Sequence, residues 1–171
     1  MGIRYYAYAF NSDQTEEAMK DPMRFVSSDP LADAWGFEPG ASGFLNATWE
    51  QAVPQRDMLY LDKAWKHLQD ITGPSDGSPV GPSYRMFEAT PGWHVHGPWN
   101  RALSPDEMVA IAEDLARITD ADATRRVRAN RYFGRKASTP DVEYALLYLH
   151  KAREFADGLV RDGRGMVYTI G

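Results

Sequence analysis

The sequence predicts an α+β fold: a small mixed sheet that includes strands from both ends of the chain, packed by several helices. Three observations lead there. Residues 3–10 (IRYYAYAF) and 166–170 (MVYTI) are short aromatic and β-branched runs at the two ends. Helix signals fill the stretch between them and crowd into its second half, which places helices on one side of a sheet. The 171 residues are 43% hydrophobic and 25% charged, an ordinary globular balance with enough chain to bury a core, so one domain over 1–171 is expected.

Each element has its own signal. In residues 3–10 the alternate set Tyr6, Tyr8 and Phe10 is aromatic, and Tyr5, Ala7 and Ala9 form the other set, as in a central strand covered on both faces. A short helix over 13–20 must stop before Asp21-Pro22, because proline disfavours helical geometry in the residue ahead of it. Residues 26–43 read as loop, and Thr48 with Gln51 has capping-box spacing for a single turn. Asp62 suits the N-cap of a three-turn helix in which Leu61, Trp65, Leu68 and Ile71 recur at helical spacing before Gly73. The Gly/Pro/Ser-rich 73–83 is a surface loop, and 84–89 and 93–96 read as strands around Pro91-Gly92.

The strongest start is Ser104-Pro105-Asp106-Glu107. Serine caps, proline takes the first helical position, glutamate closes the box, and Leu103 can staple onto Met108. Met108, Ile111, Ala112, Leu115 and Ile118 then form a buried stripe. A basic helix is expected over 121–133. A long one follows from Thr139-Pro140 to about Arg161, with Val142, Leu146, Leu149, Ala152, Phe155, Ala156 and Leu159 inward, and 162–165 breaks it.

Composition removes whole classes of chemistry. Without cysteine there are no disulfides, thiolate zinc sites, iron–sulfur clusters or cysteine nucleophiles. No apolar run approaches the roughly 20 residues of a membrane span, and the opening residues do not read as a leader, so a cytoplasmic protein is expected. Met1-Gly2 is no myristoylation signal, because Tyr6 stands where serine or threonine is required. A net charge of −5 disfavours non-specific binding to nucleic acid. The phosphate-loop, dinucleotide, Gly-x-Ser-x-Gly and His-Glu-x-x-His patterns are all missing, which leaves the common kinase, dehydrogenase and hydrolase readings unsupported.

At Leu59-Tyr60-Leu61-Asp62-Lys63-Ala64-Trp65, followed by Thr72-Gly73, the sequence resembles the YfbM-like family of small bacterial proteins of unknown function. The likeness extends to Met1-Gly2, Gly97-Pro98, Leu103-Ser104-Pro105-Asp106-Glu107 and the closing helix and strand over 148–170. The resemblance implies an α+β fold and no established activity, substrate or cofactor. Lys66 follows Trp65 where many relatives carry histidine, and only His67 stands nearby, so roles built on the family's histidines do not transfer.

Three groups of residues are candidates for function. Asp62, Lys63 and Trp65 put a carboxylate, a cation and an indole at one helix start, where they can bind a polar ligand or serve as cap, solvent-facing cation and core. His94 and His96, two apart in an expected strand, face one side and need a third ligand from His67, His150 or Asp62 to hold a metal. Two imidazoles do not make a site, so no metal and no cofactor is expected. Arg125, Arg126, Arg128 and Arg131, with Arg135 and Lys136 beyond, form a basic patch that can grip phosphate, nucleic acid or an acidic protein, and whose default reading is a solvated helix face or an electrostatic docking patch.

The function expected is that of a non-catalytic protein-binding module of the immunity or regulatory type, a monomer or weak homodimer with a protein partner and no membrane or nucleic-acid role. Trp35, Trp93 and Trp99 would anchor the partner and the Arg-rich helix would guide it. The alternative is a small enzyme or a metal- or ligand-binding protein whose pocket gathers Asp62, His67, His94, His96 and Arg101.

Overall fold

A computed structural model describes residues 2–37, 47–75, 77, 79–89, 92, 97–132 and 134–171. Strand β1 (Tyr5–Phe10) leads through a 3-10 turn (Ser12–Gln14) into helix α1 (Thr15–Lys20), and a second 3-10 turn (Pro22–Phe25) precedes helix α2 (Pro30–Trp35). Strand β2 (Met58–Asp62), helix α3 (Trp65–Thr72), a 3-10 helix (Pro82–Met86) and strand β3 (Trp99–Leu103) follow. Helices α4 (Pro105–Arg117) and α5 (Asp120–Ala129), the hairpin of β4 (Arg131–Tyr132) and β5 (Arg135–Lys136), helix α6 (Thr139–Asp162) and strand β6 (Gly165–Ile170) complete the chain.

The expected α+β class is the one found, and both terminal strands belong to the sheet. Its four strands run in the order β2-β1-β6-β3. All three pairings are antiparallel, so the sheet is not of mixed direction. All six residues of β6 are buried, as are five of the six in β1. A strand enclosed on both faces needs apolar residues at successive positions, which MVYTI and YYAYAF supply.

The two faces hold separate cores. Tyr5, Ala7, Leu59, Leu61, Met166 and Tyr168 point into the large core with α3 to α6, whereas Tyr6, Tyr8 and Met58 meet Ala34 of α2 on the other side. Phe10, Ala102 and Val167 meet Ala18 of α1 there as well. The sheet is therefore covered on both faces, not one. Gly165 permits the tight start of β6, since a Cβ there would lie 2.6 Å from the Leu103 carbonyl oxygen and 2.3 Å from Phe10 Cζ.

Helix α4 starts as its sequence dictates. The Ser104 hydroxyl accepts from the Glu107 N–H at 3.2 Å, the Glu107 carboxylate accepts from the Ser104 N–H at 2.8 Å, and Leu103 and Met108 are both fully buried. Helix α6 buries six of its seven expected inward residues, with Leu146 half-buried, and adds Ala145.

Several expectations are corrected. Asp62 is no N-cap: it ends β2, and Ala64 caps an α3 of 8 residues, little more than two turns. Thr48 and Gln51 form no helical turn; the Thr48 hydroxyl accepts from the Glu50 N–H at 3.3 Å instead. Residues within the expected loop over 26–43 hold α2, capped by Asp29 onto the Ala32 N–H at 3.1 Å. The stretch 84–89 makes no strand, because its carbonyls serve the core tyrosines: Tyr5 donates to Met86 O at 2.8 Å and Tyr168 to Glu88 O at 2.7 Å. The basic helix ends at Ala129 and hands over to the β4–β5 hairpin. The expected strand over 93–96 lies outside the described residues.

Candidate functional site

Asp62 stands at an irregularity in β2, at φ +48°, a left-handed conformation that aspartate tolerates better than most residues. Both of its carboxylate oxygens are engaged. Oδ1 accepts from Arg4 Nε at 3.1 Å and from the Tyr60 hydroxyl at 3.0 Å, and Oδ2 accepts from the Tyr144 hydroxyl at 2.8 Å. Burial, followed by the Asp62 charge, holds the Tyr60 phenol well above its usual range, and burial with the Asp62 hydrogen bond does the same for Tyr144. Both therefore stay protonated donors. The residue ties the N-terminal segment, β2 and α6 together through both of its oxygens.

His67 is buried, with its ring 4.0 Å from that of Tyr132 and 6.0 Å from that of Tyr144, and its Nδ1 has no hydrogen-bond partner among the described residues. Beside it the Tyr132 hydroxyl donates to Asp70 Oδ2 at 2.7 Å, fastening the hairpin to α3. Burial lowers the His67 pKa below its usual 6.5, against the pull of Asp70 and Asp141 and with the help of Arg135 and Lys66. The unfolded chain then binds more protons than the folded one just below pH 6.5, so His67 subtracts stability as the pH falls through that window. Burial raises the Asp70 pKa, which acts in the opposite sense nearer the carboxylate range. Urea midpoints measured from about pH 7 to about pH 5.5 should fall for the native chain and fall less for His67→Phe.

The other sequence-predicted residues lie apart. Lys63 lays its side chain along Gly2, with Cε 2.3 Å from where a Gly2 Cβ would stand. Trp65 donates Nε1 to Ile3 O at 3.3 Å and packs on the main core, as Trp99 does from β3. Arg101, also on β3, is ion-paired with Glu88. Since β1 and β6 separate β2 from β3, Asp62 and Arg101 sit on opposite edges of the sheet, roughly 14 Å apart at strand spacing. His150 is elsewhere again, with Nε2 2.9 Å from Asp120 Oδ1. His94, His96 and Trp93 lie outside the described residues. Within the basic patch Arg125 pairs with Asp122 at 2.6 Å and Arg126 donates to Gly73 O at 3.0 Å, while Arg128 and Arg131 are exposed.

What the structure does assemble is an open cleft of about 990 Å³ along the outer edge of β2. One wall is the segment from Trp49 to Arg56 together with Trp35, the other is the outward face of α6, and β2 from Met58 to Tyr60 lies between them. Trp49 is 61% exposed and held at φ +62°, a backbone conformation that bulky residues rarely adopt. It is kept there by its N–H to Trp35 O at 2.9 Å and by the Trp35 ring, 5.2 Å from its own. On the opposite wall Lys151 Nζ sits 5.0 Å over the Tyr148 ring, and Gly158 lies within the unbroken α6. A glycine inside a helix costs about 1 kcal/mol relative to alanine. Packing does not require it here, because a Cβ at Gly158 would meet nothing within 4 Å among the described residues.

Four antiparallel strands between two helical layers, with this cleft along one sheet edge, define a small α+β protein of YfbM-like fold. The chain is similar to the crystal structure of YfbM from Escherichia coli, a protein of unknown function, with a TM-score of 0.59 over 98% of this chain and 99% of that one at 13% identity. At that identity the likeness is one of fold, and it bears out the architecture implied by the sequence resemblance. No family model and no curated protein sequence matches the chain. Among the described residues no helix is long and apolar enough to cross a membrane.

Proposed function

We propose that this protein is a cytoplasmic, non-catalytic binding module of the immunity or regulatory type, and that its partner docks in the cleft between Trp49 and α6. The supporting observation is Trp49 itself: a large aromatic side chain, mostly exposed, fixed in a strained backbone conformation at the mouth of an open groove. Such strain costs on the order of 1–3 kcal/mol and gathers at functional positions. Tryptophan and tyrosine dominate the energetics of protein interfaces, because they bury much area while losing little rotamer freedom. The groove's openness suits a protein segment better than an enclosed metabolite. Asp62, engaged on both oxygens, is structural in this reading.

Random peptides displayed on phage and panned against the full chain test the proposal. Selected clones should lose about tenfold or more of their affinity for Gly158→Leu, which fills space along the α6 wall of the cleft and takes a better helix former, so its thermal midpoint should not fall. Failure to select any clone, or clones indifferent to Gly158→Leu, would overturn the proposal.

A further inference from the structure

Resting on that reading, we infer that the segment bound in the cleft is extended and adds to the sheet as a strand beside β2, exchanging its backbone hydrogen bonds with Tyr60.

The register of β2 leads to this. In an antiparallel pair, residues alternate between those that bond across the pair and those whose N–H and C=O point away. The Ala9 N–H donates to Asp57 O at 2.9 Å, which makes that pair a bonded one. Counting along the register Tyr8↔Met58, Ala7↔Leu59 and Tyr6↔Tyr60, Leu59 bonds to β1, whereas Met58 and Tyr60 turn their backbone groups outward. Hydrogen bonds at the other end of β1 agree: Arg4 and Gly171 exchange both bonds, at 2.9 and 3.0 Å, which turns Tyr6 and Tyr8 towards β6 and leaves Ala7 and Ala9 for β2.

The outward groups of the two residues have different fates. At Met58 both are taken, since its N–H donates to Pro54 O at 3.1 Å and its C=O accepts from Gln51 Nε2 at 3.0 Å. At Tyr60 neither has a hydrogen-bond partner among the described residues. The covering loop thus closes the edge at one residue and leaves it open two residues on, inside the cleft. An extended peptide is the ligand that supplies both a donor and an acceptor at that spacing.

The walls fit the same occupant. Side chains of an added strand alternate between the sheet's two faces, here towards Trp35 and Trp49 on one side and towards Tyr148 and the open space over Gly158 on the other. The rim carries Arg56, Lys151 and Arg161 against Glu50, Glu154 and Asp162, three cations to three anions. That balance selects no strongly charged partner and favours a near-neutral segment of alternating apolar residues.

A peptide selected on the full chain, resynthesised with each backbone amide N-methylated in turn, tests the pairing. Methylation at the residue opposite Tyr60 should weaken binding about tenfold or more. Native-state exchange supplies a second readout. The Tyr60 amide should exchange much faster than that of Leu59 in the free chain, and bound peptide should slow it at least about tenfold. If methylation is tolerated throughout and Tyr60 exchange is unmoved while Gly158→Leu still abolishes binding, strand addition is overturned and the binding module stands. If no peptide depends on the cleft, both fall.

Discussion

Replacing Asp62 with alanine should destabilise the protein by about 3 kcal/mol, a large share of the roughly 5–15 kcal/mol that holds a domain folded. The carboxylate accepts from Arg4, Tyr60 and Tyr144, and hydrogen bonds to a charged group contribute about 1.5–3 kcal/mol each before the solvent exposure of the site is discounted. Alanine would leave the Arg4 guanidinium and two phenols without their acceptor, and would sit less comfortably at φ +48°. Asp62→Asn keeps the left-handed backbone and one oxygen, so it should lose about half as much. Urea unfolding with an unchanged m-value measures both. A loss under about 1 kcal/mol for Asp62→Ala would return Asp62 to the candidates for ligand binding.

Trp49→Ala should have the opposite profile. Binding of a selected peptide should weaken by about 2 kcal/mol, near thirtyfold, while stability changes by less than about 1 kcal/mol, because the removed ring is mostly exposed and its backbone strained. Trp49→Gly should be more stable than Trp49→Ala by about 1 kcal/mol, since glycine enters the left-handed region without penalty. Titration of the same peptide into the three proteins, with urea unfolding of each, separates the two effects. A loss of stability matching the loss of binding would make Trp49 a packing residue.

Much of the fold was legible in the sequence. The caps of α4, the stripe of α6 and the doubly buried runs of β1 and β6 are local patterns with one physical reading. β2 was hidden because Leu59 and Leu61 face the core at strand spacing and run straight into the helical spacing of Trp65, Leu68 and Ile71, so the turn at Asp62 passed for a cap. β3 is an edge strand whose first three residues, Trp99, Asn100 and Arg101, are half-exposed and weakly patterned. α2 lies inside the stretch that reads as loop, and its signal is short: Asp29-Pro30 is a cap followed by a first-turn proline.

The cleft was less legible, because it joins residues 49–60 to residues 148–162, whose meeting is a matter of tertiary packing. Gly158 offered a hint, as a glycine inside an otherwise continuous helical stripe. Nothing in the sequence marked the strained backbone of Trp49. Within the basic run, Arg125 is committed to Asp122 and Arg126 to Gly73, and sequence spacing does not mark the second of these pairings.

The location of the binding surface is the claim on which the functional reading stands, and amide-shift mapping of the labelled full chain during titration with a selected peptide tests it most directly. Perturbations should centre on Trp49, Tyr60, Tyr148, Lys151 and Gly158, and leave Arg128 and Arg131 unmoved. Perturbations centred on α5 and the β4–β5 hairpin, with the cleft residues silent, would contradict it.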